Sequence, residues 1–159
     1  MTPTEKLPKI EYWAEPPKMD TGSPRPELYF SDDLYCTYYL PDFVCSENEK
    51  VAVLRFEGVL HFRMGHPNDE ALHGHPLHKY GLEQYDFFLV SHSPLMAEIE
   101  ARNAVHMWHR PGMYSHLKHW IVTFHDETLE VVSRSASFLG TSERAPRDAI
   151  RTFVDPSCR

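Results

Sequence analysis

The chain has 159 residues, 42% of them hydrophobic and 13% aromatic, and a formal charge of −7. That length and apolar content suit one folded domain with a sizeable core and exclude a disordered chain. The acidic balance, with no Lys/Arg-rich run, argues against a general nucleic-acid binder, which needs a clustered basic surface.

No apolar run approaches the length of a bilayer span, and the N-terminal residues lack the apolar core of a signal peptide. Three cysteines, Cys36, Cys45 and Cys158, form no C-x-x-C pair and no even disulfide set. A reduced, cytoplasmic setting without membrane attachment is the expectation.

Six of the thirteen prolines fall within residues 1–27, which predicts an extended proline-rich N-terminal arm. Residues 28–140 read as one domain and 141–159 as a polar C-terminal tail, with a short helix over Arg147–Thr152. Leu34–Leu40 reads as a strand after a Ser31-Asp32-Asp33 turn, and Ser46–Lys50 as a further turn. Val51–Met64 alternates strictly, with Ala52, Leu54, Phe56, Leu60, Phe62 and Met64 on one face. Arg55, Glu57, His61 and Arg63 line the other, so one long strand bent at Gly58 is predicted.

Gly65–Gly81 follows, a loop with four of the eleven histidines, two prolines, three glycines and two carboxylates. A connection this long without strand pattern is unusual in a compact domain and is commonly functional. Two short helical turns are predicted in it, stopped at Gly74 and Gly81 in the left-handed conformation. Tyr85–His92 reads as a strand. Ser93-Pro94 then caps a helix whose stripe is Leu95, Met96, Ile99 and Val105.

Lys118–Arg134 reads as a hairpin turning at Asp126-Glu127, with Phe124 opposite Leu129 and Thr123 opposite Glu130. Strands, one helix and then a hairpin imply an α+β fold. The preferred architecture is a curved, mainly antiparallel, half-open barrel-like sheet of four or five strands packed with one helix. A two-sheet β-sandwich is the alternative.

No nucleophile elbow, phosphate loop or zinc-type cysteine pair is present. The chemistry rests on histidine and carboxylate. His73, His75 and His78 are the candidate ligands of a divalent transition metal (Zn, Fe, Mn or Ni), since imidazole suits these ions. His61, Asp69, Glu70 and His125 are candidate acid–base groups, and Arg55, Glu57 and Arg63 a candidate substrate clamp. These imply a small enzyme acting on a small polar or anionic molecule. The alternative is a non-catalytic binding or interaction module, whose aromatic first strand and arm form a dimer or partner surface.

Overall fold

The computed structural model describes residues 6–22, 25–41 and 50–155. Cys45 and Cys158 lie outside these residues, as does the Ser46–Lys50 turn except for Lys50. In chain order the strands are β1 (Lys9–Tyr12), β2 (Glu27–Phe30), β3 (Leu34–Tyr39), β4 (Val51–Glu57), β5 (His61–Gly65) and β6 (Phe87–Ser91). Helix α1 (Pro94–Asn103) follows, then β7 (Lys118–Thr123), β8 (Thr128–Ser133), β9 (Ser135–Ser142) and α2 (Pro146–Val154). The strands build two antiparallel sheets, one ordered β1-β6-β7-β8-β5 and the other β2-β3-β4-β9. The α+β, mainly antiparallel reading holds. Among the described residues the strands are divided between two open sheets facing one another, and α2 packs on the fold as well as α1.

The dividing point is Gly58. The expected single strand over Val51–Met64 is two strands, with β4 in the four-stranded sheet and β5 in the five-stranded one. Gly58 has φ +61°, a conformation costly for residues with a side chain, and its N–H donates to Asp33 Oδ1 at 3.1 Å. The chain changes sheets there without losing parity. Ala52, Leu54 and Phe56 line the core between the sheets, and Phe62 and Met64 pack against it from the opposite side. Strict alternation cannot separate one bent strand from two strands that share a core.

The hairpin turn is also longer than expected. Thr123 pairs with Thr128 and Val122 with Leu129, so four residues make the turn and the register moves by two positions. A shift of two keeps every side chain on its predicted face. Trp120, Val122 and Phe124 therefore still enter the core.

Each sheet has an outer face, and both are covered. On the four-stranded sheet, Tyr35, Tyr39, Val51 and Val53 pack against Ala149 and Ile150 of α2. That helix extends the one expected at Arg147–Thr152 and lies within the segment read as a polar tail. On the five-stranded sheet, Phe88, Val90 and Ile121 pack beneath Leu72, Leu77 and Leu82 of the histidine-rich loop. Beside them Leu95, Met96 and Ile99 of α1 pack with Val132. Val105, expected in the same stripe, is 93% exposed because the helix has ended before it. Residues of the expected arm join the body: β1 pairs with β6, and Trp13 packs on Trp120 with centroids 5.0 Å apart.

Candidate functional site

The outer face of the five-stranded sheet carries the polar centre of the molecule. Strand alternation points Glu130 outward from β8, between Arg63 of β5 and Ile121 of β7 in the pairing register. On an uncovered sheet it would meet water. Under the loop it is only 3% exposed.

Its two carboxylate oxygens are held from three sides. His75 Nε2 lies 2.6 Å from Oε1. Arg63 donates to Oε2 through Nη2 at 2.8 Å and Nε at 3.1 Å. His119 Nε2 lies 3.4 Å from Oε2, an electrostatic contact without hydrogen-bond alignment. Burial alone would raise the Glu130 pKa. The contacts with His119, His75 and Arg63 outweigh it and hold the carboxyl well below the usual range, so it stays ionised.

The two imidazoles differ in what their other nitrogen does. His75 Nδ1 accepts the Leu77 backbone N–H at 3.1 Å, so the proton of its neutral ring sits on Nε2 and is donated to Glu130. Both nitrogens are committed, and His75 ties the loop to the sheet. His119 Nδ1 lies 2.7 Å from Ser93 Oγ. With Nε2 facing an anion, the neutral ring keeps its proton on Nε2 and offers the Nδ1 lone pair to the Ser93 hydroxyl. Ser93 Oγ, Nδ1, Nε2 and the Glu130 carboxylate therefore lie in sequence, hydrogen-bonded at the serine end and in electrostatic contact at the carboxylate end, with the serine end at a cavity of about 870 Å³. The carboxylate end lines a second cavity of about 690 Å³, together with Arg63 and His75.

The residues singled out from the sequence are distributed over several places. Arg63 and His75 meet at Glu130. His61, on the outer face of β5, pairs in register with Val132, whose other partner is His119. Its Nε2 is buried without a hydrogen-bond partner, and its pKa is lowered by burial and by Arg63. Asp69, Glu70, His73 and His78 line a separate cavity of about 470 Å³ on the loop's other side, with Tyr85. Tyr85 donates to Asp69, which raises its pKa to about 12 and lowers that of Asp69.

His125 sits in the hairpin turn, its Nδ1 3.1 Å from Asp126 Oδ1. Arg55 and Glu57 lie together on β4, away from Glu130: Arg55 Nη2 lies 2.7 Å from Asp33 and 3.1 Å from Glu57, which also accepts from Ser135 Oγ at 2.7 Å. The clamp of Arg55, Glu57 and Arg63 is thus split between the two sheets. Among the described residues no three His, Cys, Asp or Glu side chains are grouped to hold a metal ion; His75 lies at Glu130, whereas His73 and His78 line the cavity beside Asp69.

Glu130 and Ser93 are the residues sequence reasoning passed over as functional groups. Ser93 reads locally as a helix cap, and it is one: its Oγ accepts the Met96 N–H at 3.1 Å. Glu130 reads as an ordinary outward-facing strand residue. Only the loop's placement over β8 reveals its burial.

Fold and site together define an α+β protein of two facing antiparallel sheets, with a buried carboxylate–imidazole centre under a loop on one outer face. Comparison with protein-family models, with curated proteins and with solved structures finds no match to the chain. Among the described residues no helix is long and apolar enough to cross a membrane.

Proposed function

We propose that the chain is a small cytoplasmic enzyme whose acid–base centre is the His119–Glu130 pair, acting on a small anionic molecule. One observation carries this reading. Glu130 is a carboxylate at 3% exposure, in contact with an imidazole whose second nitrogen faces a hydroxyl at a cavity wall. A general base needs that arrangement: a lone pair at hydrogen-bond distance from the proton it removes, and an anion behind the ring to stabilise the imidazolium. Perturbed ionisable groups at cavities are candidates for such work. The reading uses no metal, because the Nδ1 lone pairs of His75 and His119 already have partners.

The test is a turnover screen. Carboxylic esters, phosphate monoesters and amides bearing an anionic group are offered to the wild type and to Glu130→Gln. Turnover of at least one class, reduced about 100-fold or more in Glu130→Gln, is the expected result. Wild-type rates equal to those of Glu130→Gln across the panel contradict it.

A second reading, a non-catalytic interaction module, is favoured by a different observation. Val105, Met107 and Trp108 are 93, 83 and 72% exposed in the segment after α1. Apolar side chains displayed together are characteristic of interaction surfaces. A second copy of the chain is the simplest partner. Light scattering that gives a dimer, converted to monomer by Trp108→Glu, supports this reading; a monomeric wild type contradicts it.

A further inference from the structure

We infer that Ser93 is a nucleophile, and that the centre proposed above transfers the acyl group of a small anionic ester to it; the inference rests on that acid–base reading. Three observations converge on Ser93. The first is its hydrogen bonding. Ser93 Oγ accepts the Met96 N–H, which leaves its own proton for His119 Nδ1 at 2.7 Å.

The second is its place in the chain. Ser93 lies between strand β6 and helix α1, just after His92 at φ +53°. Positive φ is uncommon outside glycine and is held only where the surroundings impose it. This one turns the chain sharply from strand to helix and leaves Ser93 at the head of α1.

The third is the cavity. It measures about 870 Å³, room for a small ester; Lys6 and Lys79 line it with one carboxylate, Glu100, the Lys79 ammonium lying over the Tyr80 ring of its wall, while the Lys118 ammonium turns to the Trp120 ring outside it. In a chain with a formal charge of −7 this is a locally cationic recess. It selects substrates with an anionic end.

The chemistry balances with water as co-reactant. Oγ bonds to the ester carbonyl carbon while its proton passes to His119 Nδ1, and the carbonyl electrons move onto oxygen. Collapse breaks the bond to the leaving oxygen, which takes the proton from His119 and departs as the alcohol. Water then repeats the attack on the Ser93 acyl group, giving a carboxylic acid and the free hydroxyl. Glu130 stays ionised throughout and stabilises the imidazolium through Nε2.

The test is covalent labelling with a fluorophosphonate probe, read by intact mass and peptide mapping. Ser93→Asn removes the nucleophile and keeps a good helix cap, so loss of labelling in a variant with the wild-type circular dichroism is not a folding effect. A single adduct on Ser93 is expected in the wild type, absent in Ser93→Asn and formed about 100-fold more slowly in His119→Gln. In parallel, the wild type should hydrolyse the p-nitrophenyl half-ester of succinate in preference to p-nitrophenyl acetate. An adduct elsewhere, or equal labelling of His119→Gln, overturns the proposal. If Ser93→Asn still turns over a panel substrate in a Glu130-dependent way, the nucleophile is wrong and the acid–base reading stands. If the wild type neither labels nor turns over any substrate, both fall.

Discussion

The two sheets solve the same problem with different materials. Each has an outer face that must be kept from water. On the four-stranded sheet α2 does this with Ala149 and Ile150 over Val51, Val53, Tyr35 and Tyr39, and the ion pairs of Arg55 with Asp33 and Glu57 on that face are part-exposed. On the five-stranded sheet the loop and α1 do it with Leu72, Leu77, Leu82 and Leu95. Under that cover, however, lie Glu130 and His119, at 3 and 1% exposure. Covering a sheet does not require this. Replacing a buried ion pair by packed apolar groups is often neutral or stabilising. The comparison therefore identifies polarity that packing does not explain, and it lies between two cavities.

The largest effect should come from the core that both regions share. Phe56→Asp places a charge at a position with 0% exposure, between the sheets. It should unfold the protein, with loss of the circular dichroism of both sheets together. Retained native dichroism would contradict the shared core.

Next comes Glu130→Ala, which leaves His75, His119 and Arg63 around an empty place. The buried His75 Nε2–H loses its acceptor and a cavity opens beside it, which together should cost about 3–5 kcal/mol. Ile150→Ala, on the dry face, should cost about 2–4 kcal/mol as a plain cavity effect. Chemical unfolding gives both values, and hydrogen exchange separates them. Ile150→Ala should loosen α2 and leave the loop protected, whereas Glu130→Ala should loosen the loop first. The same exchange pattern in both variants would erase the distinction between the faces.

Acid sharpens the contrast further. The Glu130 pKa is lowered in the fold, so its stabilisation is present above the ordinary glutamate value of about 4.5 and is lost as pH falls below it. The His61 pKa is lowered as well. Its neutral form favours the fold, and stability falls as pH drops below about 6.5, where the unfolded histidine takes up a proton first. Melting temperature should therefore decline in two stages, and His61→Leu should remove only the upper one. A His61→Leu profile that superposes on that of the wild type contradicts this assignment.

The smallest effect is expected at Gly74. The sequence suggested a left-handed stop there, and the structure places that conformation only at Gly81, with φ +104°; Gly74 has no positive φ and no atom within 4 Å of an added Cβ. Gly74→Ala should change stability by less than about 0.5 kcal/mol. A loss above 1 kcal/mol would show that the turn is tighter than described.

How far the molecule could be read from its sequence follows from the range of each interaction. Local signals held. Ser93-Pro94 starts α1, Ser31-Asp32-Asp33 separates β2 from β3, and Ala52, Leu54 and Phe56 in β4 and Phe62 and Met64 in β5 face the core, whereas Leu60 between the two strands is 42% exposed and Val59 packs inward in its place. Signals that depend on distant chain did not. Nothing within Val51–Met64 states that β5 joins a different sheet, and nothing near Thr123 states that its face is covered. Thr123, on the hairpin face opposite the core side chains Val122 and Phe124, is 1% exposed and its hydroxyl donates to the Glu83 carbonyl at 2.7 Å. The loop was recognisable as unusual because composition is local. Which of its histidines turns inward was not, because that depends on Glu130, 55 positions away from His75.

The most direct test of the contrast between the two outer faces is the stability of a variant in which the polar centre is made apolar, Arg63→Met/His75→Leu/Glu130→Leu, measured by urea unfolding. If the charges are surplus to covering the sheet, the variant should lie within about 1.5 kcal/mol of the wild type, the main loss being the hydrogen bond to the Leu77 amide. A loss of more than about 4 kcal/mol would mean that the fold itself depends on Glu130 and its partners, and the centre would then be a structural fastening.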